Sequence, residues 1–262
     1  MRSIAKLMKD WQFTGPNGVT TAVELPHTWN ARDGQDGGND YWRGCCTYCT
    51  RFAAPVYDPA QQQVWLQFEG VNASAAVLLN GQQLCTHDGG YSTFRAEVTE
   101  LLQAENQLTV RVDNSVNDRV YPQKADFTFY GGIYRDVSLL VVNKNHIALG
   151  HFGDTGVKIT PALQENSADI QVETLVEGSG TVTVELLDAE GRTAAKGEGE
   201  NTFLHLDAPH LWNGVKDPYL YTCVVRLLQD GQPVDEVTTR VGLRSFSVDA
   251  KKGFFLNGKP YP

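Results

Sequence analysis

The chain has 262 residues, 41% of them hydrophobic, with 25 Gly and 11 Pro, the make-up of a folded, turn-rich protein long enough for two cores. Its formal net charge of −9 comes without any basic cluster, which argues against nucleic acid or an anionic membrane as partner. No apolar run approaches membrane-spanning length, and residues 1–11 mix Arg2, Lys6, Lys9 and Asp10 with scattered apolar residues, unlike a secretory leader.

The acidic stretch 33–40, D-G-Q-D-G-G-N-D, reads as a loop flanked by Trp29, Tyr41 and Trp42. It lacks the alternating ligands and late Glu of a calcium-binding helix-loop-helix. Carboxylates and amides beside aromatic faces suit sugar recognition, although the residues alone favour a solvated loop with structural Trp side chains. Five cysteines (Cys45, Cys46, Cys49, Cys85 and Cys223) form an odd set whose spacing fits neither a zinc site nor a disulfide framework. They are read as reduced thiols of a cytoplasmic protein. The sequon at Asn72 is then accidental, because glycosylation needs the secretory route.

Residues 64–68 are apolar and aromatic, as in a strand. Residues 73–79 alternate small and branched side chains, and Asn80-Gly81 follows, the dipeptide whose easy positive φ closes a two-residue hairpin. His87-Asp88 has the composition of two triad members, but strand or turn neighbours point apart, so His87 is read as structural. Residues 96–103 allow a helical turn or two, and 108–112 alternate as a half-buried strand.

Residues 126–142, D-F-T-F-Y-G-G-I-Y-R-D-V-S-L-L-V-V, combine a lone acid, a dense aromatic patch, a Gly-Gly break and an apolar run. Residues 137–142 predict a buried strand. The aromatic corner before it suits a binding site, but equally a packed corner between sheets, which the residues alone favour.

The polar N-K-N-H at 143–146 marks a domain boundary. Runs at 170–176, 181–187, 223–228 and 234–241, separated by turn signals, predict a second, small β-sandwich. The charged, Gly-containing segment 196–200 reads as an exposed loop. Residues 254–256 read as a strand and Asn257-Gly258 as its turn, so the chain reads as a piece of a longer protein. There is no phosphate-loop pattern and no His pair spaced for a metal. Glycoside hydrolysis needs two carboxyls about 5–9 Å apart, and no such pair can be chosen from these acids.

Several motifs taken together resemble a known family. L-P-H-T-W-N at 25–30 precedes D-G-G-N-D-Y-W-R-G at 36–44. V-L-L-N-G at 77–81 precedes H-D-G-G-Y-S-T-F at 87–94. N-Q-L-T-V-R-V-D-N at 106–114 and G-I-Y-R-D-V at 132–137 follow, then L-W-N-G at 211–214, D-P-Y-L-Y at 217–221 and V-G-L-R at 241–244. In this order they resemble the opening of glycoside hydrolase family 2, especially its bacterial β-galactosidases.

The resemblance implies an all-β chain: a jelly-roll, galactose-binding-like sandwich over 1–143, an immunoglobulin-like sandwich over 144–250, and at 251–262 a lead-in to a TIM barrel. Both catalytic Glu residues of the family lie in that barrel, so this piece is expected to be inactive by itself. The implied activity of the whole is β-galactoside hydrolysis, with β-glucuronidase or a stand-alone carbohydrate-binding module as alternatives. Asp126, six residues before Gly132, matches a family Asp that holds the sugar and a nearby cation. Asn39 and Asp40 match, more loosely, a loop nearing the same pocket. No cofactor is expected in this piece, with Na or Mg in the whole enzyme. The expected partners are the carbohydrate, the chain's own barrel and a second copy in a homo-oligomer. Arg135 and Asp136 are read as a structural pair fixing the corner.

Overall fold

The computed structural model describes residues 1–31, 41–122, 125–150 and 153–261, in two compact units, Ser3–Val142 and Asn143–Pro262 with Met1–Arg2. Among the described residues the only helical pieces are two short 3-10 turns, Thr99–Leu101 and Gly214–Lys216. No helix is long and apolar enough to cross a membrane.

The first unit is a jelly-roll sandwich. Its larger sheet holds, in spatial order, Thr20–Val23, Trp11–Thr14, Cys45–Ala53, Glu105–Asp113, Ser74–Leu79 and Gln82–Asp88. The opposing sheet holds Ser3–Lys6, Val137–Asn143, Gln62–Phe68 and Phe94–Glu97. Alternation along the strands builds the core: Cys46, Tyr48 and Phe52, then Leu108, Val110 and Val112, then Val64, Leu66 and Phe68 turn inward. Each large apolar side chain fully withdrawn from water contributes roughly 1.5–3 kcal/mol. Residues Val137 to Val142 are buried on both faces, Ser138 included, as their largely apolar run predicts. A third, small sheet of His27–Thr28, Gly132–Ile133 and Val71–Asn72 closes the end that carries the aromatic corner.

The second unit is an immunoglobulin-like sandwich. Val157–Leu163, Ser167–Thr174 and Asn201–Asp207 form one sheet. Thr193–Glu198, Thr181–Leu187, Tyr221–Gln229 and Gln232–Val241 form the other. Ile147, Ile170, Val172, Leu186 and Leu227 are fully buried between them. The first two residues belong to this unit. Arg2 donates from Nε and Nη2 to the two carboxylate oxygens of the buried Asp235, at 2.7 and 2.6 Å. The Ile147 amide donates to the same carboxylate at 2.8 Å. The terminal hairpins Phe246–Asp249, Gly253–Leu256 and Lys259–Pro260 form a small sheet.

Asn80-Gly81, Asp230-Gly231 and Asn257-Gly258 all take positive φ at both positions and close two-residue hairpins. Two expectations are corrected. Residues 196–198 are not loop but part of the edge strand Thr193–Glu198, which pairs with Thr181–Leu187. An edge strand has an open side where Lys and Glu remain solvated, so charge and Gly did not imply a loop. Arg135 and Asp136 do not pair with each other. Arg135 donates to the Tyr91 carbonyl at 3.2 Å, and Asp136 meets Lys6 at 2.6 Å. Consecutive side chains leave the backbone in opposite directions.

Candidate functional site

The corner at 127–132 is held by short polar side chains from distant parts of the first unit. The Asn114 amide nitrogen donates to the Phe129 carbonyl at 2.9 Å. Asn72 Nδ2 donates to the Tyr130 carbonyl at 2.7 Å. Thr28 Oγ1 donates to the Gly131 carbonyl at 2.8 Å. Three successive carbonyls thus lean on three side chains. Asn30 completes the clamp: its Oδ1 accepts from the Gly131 amide at 2.8 Å and from Asn114 Nδ2 at 3.1 Å, and its Nδ2 donates to the Trp42 carbonyl at 2.8 Å. Asn30 and Asn114 are fully buried and Asn72 nearly so. A buried amide left without partners costs about 1–3 kcal/mol, so saturation fixes the loop rather than merely decorating it.

Two glycines let the backbone come this close. A Cβ at Gly131 would collide with the Trp29 indole, and one at Gly132, whose φ is 142°, with the His27 carbonyl. Beneath them His27 Nδ1 lies 2.7 Å from the Tyr48 hydroxyl. Burial pushes the imidazole pKa down and the phenol pKa far up, so both stay neutral at pH 7. Tyr130 remains 41% exposed on this clamped backbone, and Phe127, whose ring packs on Phe129, remains 49% exposed, an arrangement suited to stacking on a ring.

Asp126, the residue before this corner in the chain, is exposed. It is the one sequence-derived site residue whose position is described, because Asn39 and Asp40 lie outside the described residues. Among the described residues no three His, Cys, Asp or Glu side chains come together as a cation site. The described chain supplies one carboxylate there and not a donor set, so no step is routed through a metal. His87 and Asp88 diverge as neighbours should: His87 Nε2 lies 3.1 Å from Ser92 Oγ, and Asp88 meets Arg119 at 2.8 Å.

Sequence reasoning missed the clamp and Arg43. Arg43 Nε donates to the Asn114 carbonyl at 2.7 Å, and its guanidinium lies 4.9 Å from the Phe129 ring centre. The Asn72 sequon hid a buried amide committed to Tyr130. Asn30 and Arg43 stand within the motifs quoted above, but nothing in those motifs marks them as structural or exposed.

A jelly roll with a fixed aromatic corner and an exposed acid, followed in the chain by an immunoglobulin-like sandwich, defines a two-domain, all-β class of protein with a galactose-binding-like first unit. Family comparison says which. The galactose-binding-like domain of glycosyl hydrolase family 2 matches residues 38–162, and the family 2 domain that follows matches 151–244. The chain belongs to glycoside hydrolase family 2. A β-glucuronidase of Bacteroides fragilis is 34% identical over 98% of this chain and 40% of its own length. A β-galactosidase of Bacteroides ovatus is 32% identical over 95% of this chain and 32% of its own length. The crystal structure of an FMN-binding β-glucuronidase from Facaelibacterium prausnitzii L2-6 is 35% identical, with a TM-score of 0.94, over all of this chain and 42% of that one. The chain therefore spans well under half the length of these relatives.

Proposed function

We propose that the chain is the non-catalytic N-terminal region of a retaining β-glycosidase, and that the whole protein removes terminal β-linked glucuronic acid. The observation that carries this is the match of both family 2 domains in order, with a β-glucuronidase similar over 98% of the chain. In this reading the two catalytic carboxylates belong to a barrel beyond these domains, and the 262-residue chain alone does not turn over substrate. The task of the first unit is to present Asp126, on the clamped corner, to the bound sugar. By the family resemblance Asn39 and Asp40 contribute to the same sugar contact, and the barrel is the chain's main partner, in a cytoplasmic homo-oligomer. The free cysteines fit a reducing compartment.

A second reading is β-galactosidase, favoured by the motif resemblance and by the Bacteroides ovatus relative. The test is the whole protein assayed with nitrophenyl β-glucuronide and β-galactoside. A kcat/KM at least tenfold higher for the glucuronide supports the proposal. Preference for the galactoside transfers the assignment to the second reading, and cleavage of neither overturns both.

A further inference from the structure

We infer that the cleft beside Arg43, which shares Phe129 with the aromatic corner, is a carboxylate subsite of the jelly roll that takes the acid group of a uronic acid unit. The cleft is lined by Arg43, Tyr91, Ser115, Asn117, Tyr121 and Phe129, among others. No Asp or Glu is among its described lining residues, in a chain whose net charge is −9. Among the described lining residues the one charge is the Arg43 guanidinium.

That guanidinium is already oriented. Its Nε is spent on the Asn114 carbonyl at 2.7 Å, and its central carbon lies 4.9 and 5.9 Å from the Phe129 and Tyr41 ring centres. Nη1 and Nη2 make no hydrogen bond to any described residue. They form the free edge of a donor fork, the geometry that reads a carboxylate with two parallel bonds. Asn114 is itself fixed by the clamp, so Arg43 is held through a buried amide and not by solvent.

Size selects among anions. The cleft offers about 20 Å³, room for an atom or two of water size and not for a pyranose ring. What enters is the tip of a group, and the ring that carries it remains outside. There Tyr91 and Tyr121 wait at the rim, 56% and 77% exposed, as faces on which a sugar ring can stack. A charged fork in the cleft and aromatic rims around it describe a uronic acid better than a neutral hexose or a free inorganic anion.

The inference borrows its ligand class from the glucuronidase reading, but the two fail separately. Hydrolysis is tested on the whole protein, and this subsite on the 262-residue chain, which holds no catalytic pair on the proposed reading. The chain is titrated with glucuronate, glucose and acetate, each followed by NMR. Saturable shifts are expected at the Arg43 side chain and the Tyr91 and Tyr121 rings with glucuronate. Glucose should bind at least tenfold more weakly, and acetate should shift Arg43 but not the tyrosines. Arg43→Gln, with its fold checked by circular dichroism, should weaken glucuronate about tenfold or more, and Arg43→Lys should restore part of the loss. Equal binding of glucuronate and glucose overturns the inference. So do shifts that bypass these three residues, a folded Arg43→Gln that binds as well as wild type, or no saturable binding. Should Arg43→Gln not fold, the wild-type selectivity and the location of its shifts decide alone. Acetate moving the tyrosines as glucuronate does would make this a general carboxylate site and overturn the assignment to a sugar.

Discussion

Replacing Asn114 by Ala removes three side-chain hydrogen bonds at once, those to Asn30, Phe129 and the Gly44 amide. Asn114 is fully buried, so water does not readily take over. The Gly44 amide and the Phe129 carbonyl are left dry at about 1–3 kcal/mol each, and the bond to Asn30, whose Oδ1 keeps the Gly131 amide, is worth about 1 kcal/mol, which together make roughly 3–7 kcal/mol. For a domain of this size that lowers Tm by about 10–25 °C. The measurement is thermal unfolding of the 262-residue chain followed by near-ultraviolet circular dichroism. Asn114→Asp sharpens the test. It keeps an acceptor for Gly44 but turns a carboxylate oxygen towards the Phe129 carbonyl and Asn30 Oδ1. Buried and facing two acceptor oxygens, that Asp has its pKa raised, so its protonated form fits better and its penalty grows as pH rises through the folded pKa. Its Tm deficit relative to wild type should therefore be larger at pH 7 than at pH 4.5. An Asn114→Ala chain melting within about 2 °C of wild type refutes the reasoning, since the clamp would then be held by solvent or by Thr28 and Asn72 alone.

Other substitutions probe neighbouring features. Asp126→Ala in the whole protein should lower kcat/KM for the glucuronide at least tenfold without moving Tm, because Asp126 is exposed; unchanged kinetics would make it a plain surface acid. Arg2→Ala leaves the buried Asp235 without its cation and should cost about 3–5 kcal/mol in the second unit, read by chemical denaturation; a loss under 1 kcal/mol would show that the tie is dispensable. Burial depresses the His27 pKa from its ordinary 6.5. The unfolded chain therefore binds more protons below that pH, and the contribution of His27 is full above about 6.5 and is lost as pH falls towards the depressed value. His27→Gln should flatten the fall in Tm between pH 7 and 5, and an identical slope in the variant would remove His27 from the account.

Much of the fold was legible because the forces that set it act over a few residues. Alternation along Leu108, Val110 and Val112 assigns the inward face of a strand whatever its partner. Asn80-Gly81 and Asn257-Gly258 carry their turns in their own backbone preferences. The largely apolar run from Val137 to Val142, with Ser138 its one polar residue, calls for burial on two sides, and it has it. The ordered motifs carried the family, and they placed Asp126 as a candidate by resemblance rather than by physics.

Only the tertiary structure decided the polar framework. Asn30, Asn72 and Asn114 come from three separate segments, and an Asn reads the same in sequence whether it is solvated in a turn or buried as a clamp. What distinguishes them is which carbonyls the fold brings within about 3 Å, and that depends on pairings far apart in the chain. Arg2 finds Asp235 across 233 residues, and Arg135 and Asp136, neighbours in sequence, find different partners. Arg43 acquires an open donor fork because Asn114 and Phe129 immobilise the rest of it. Side-chain periodicity is local and survives in the sequence; the satisfaction of buried hydrogen bonds is a property of the assembled core.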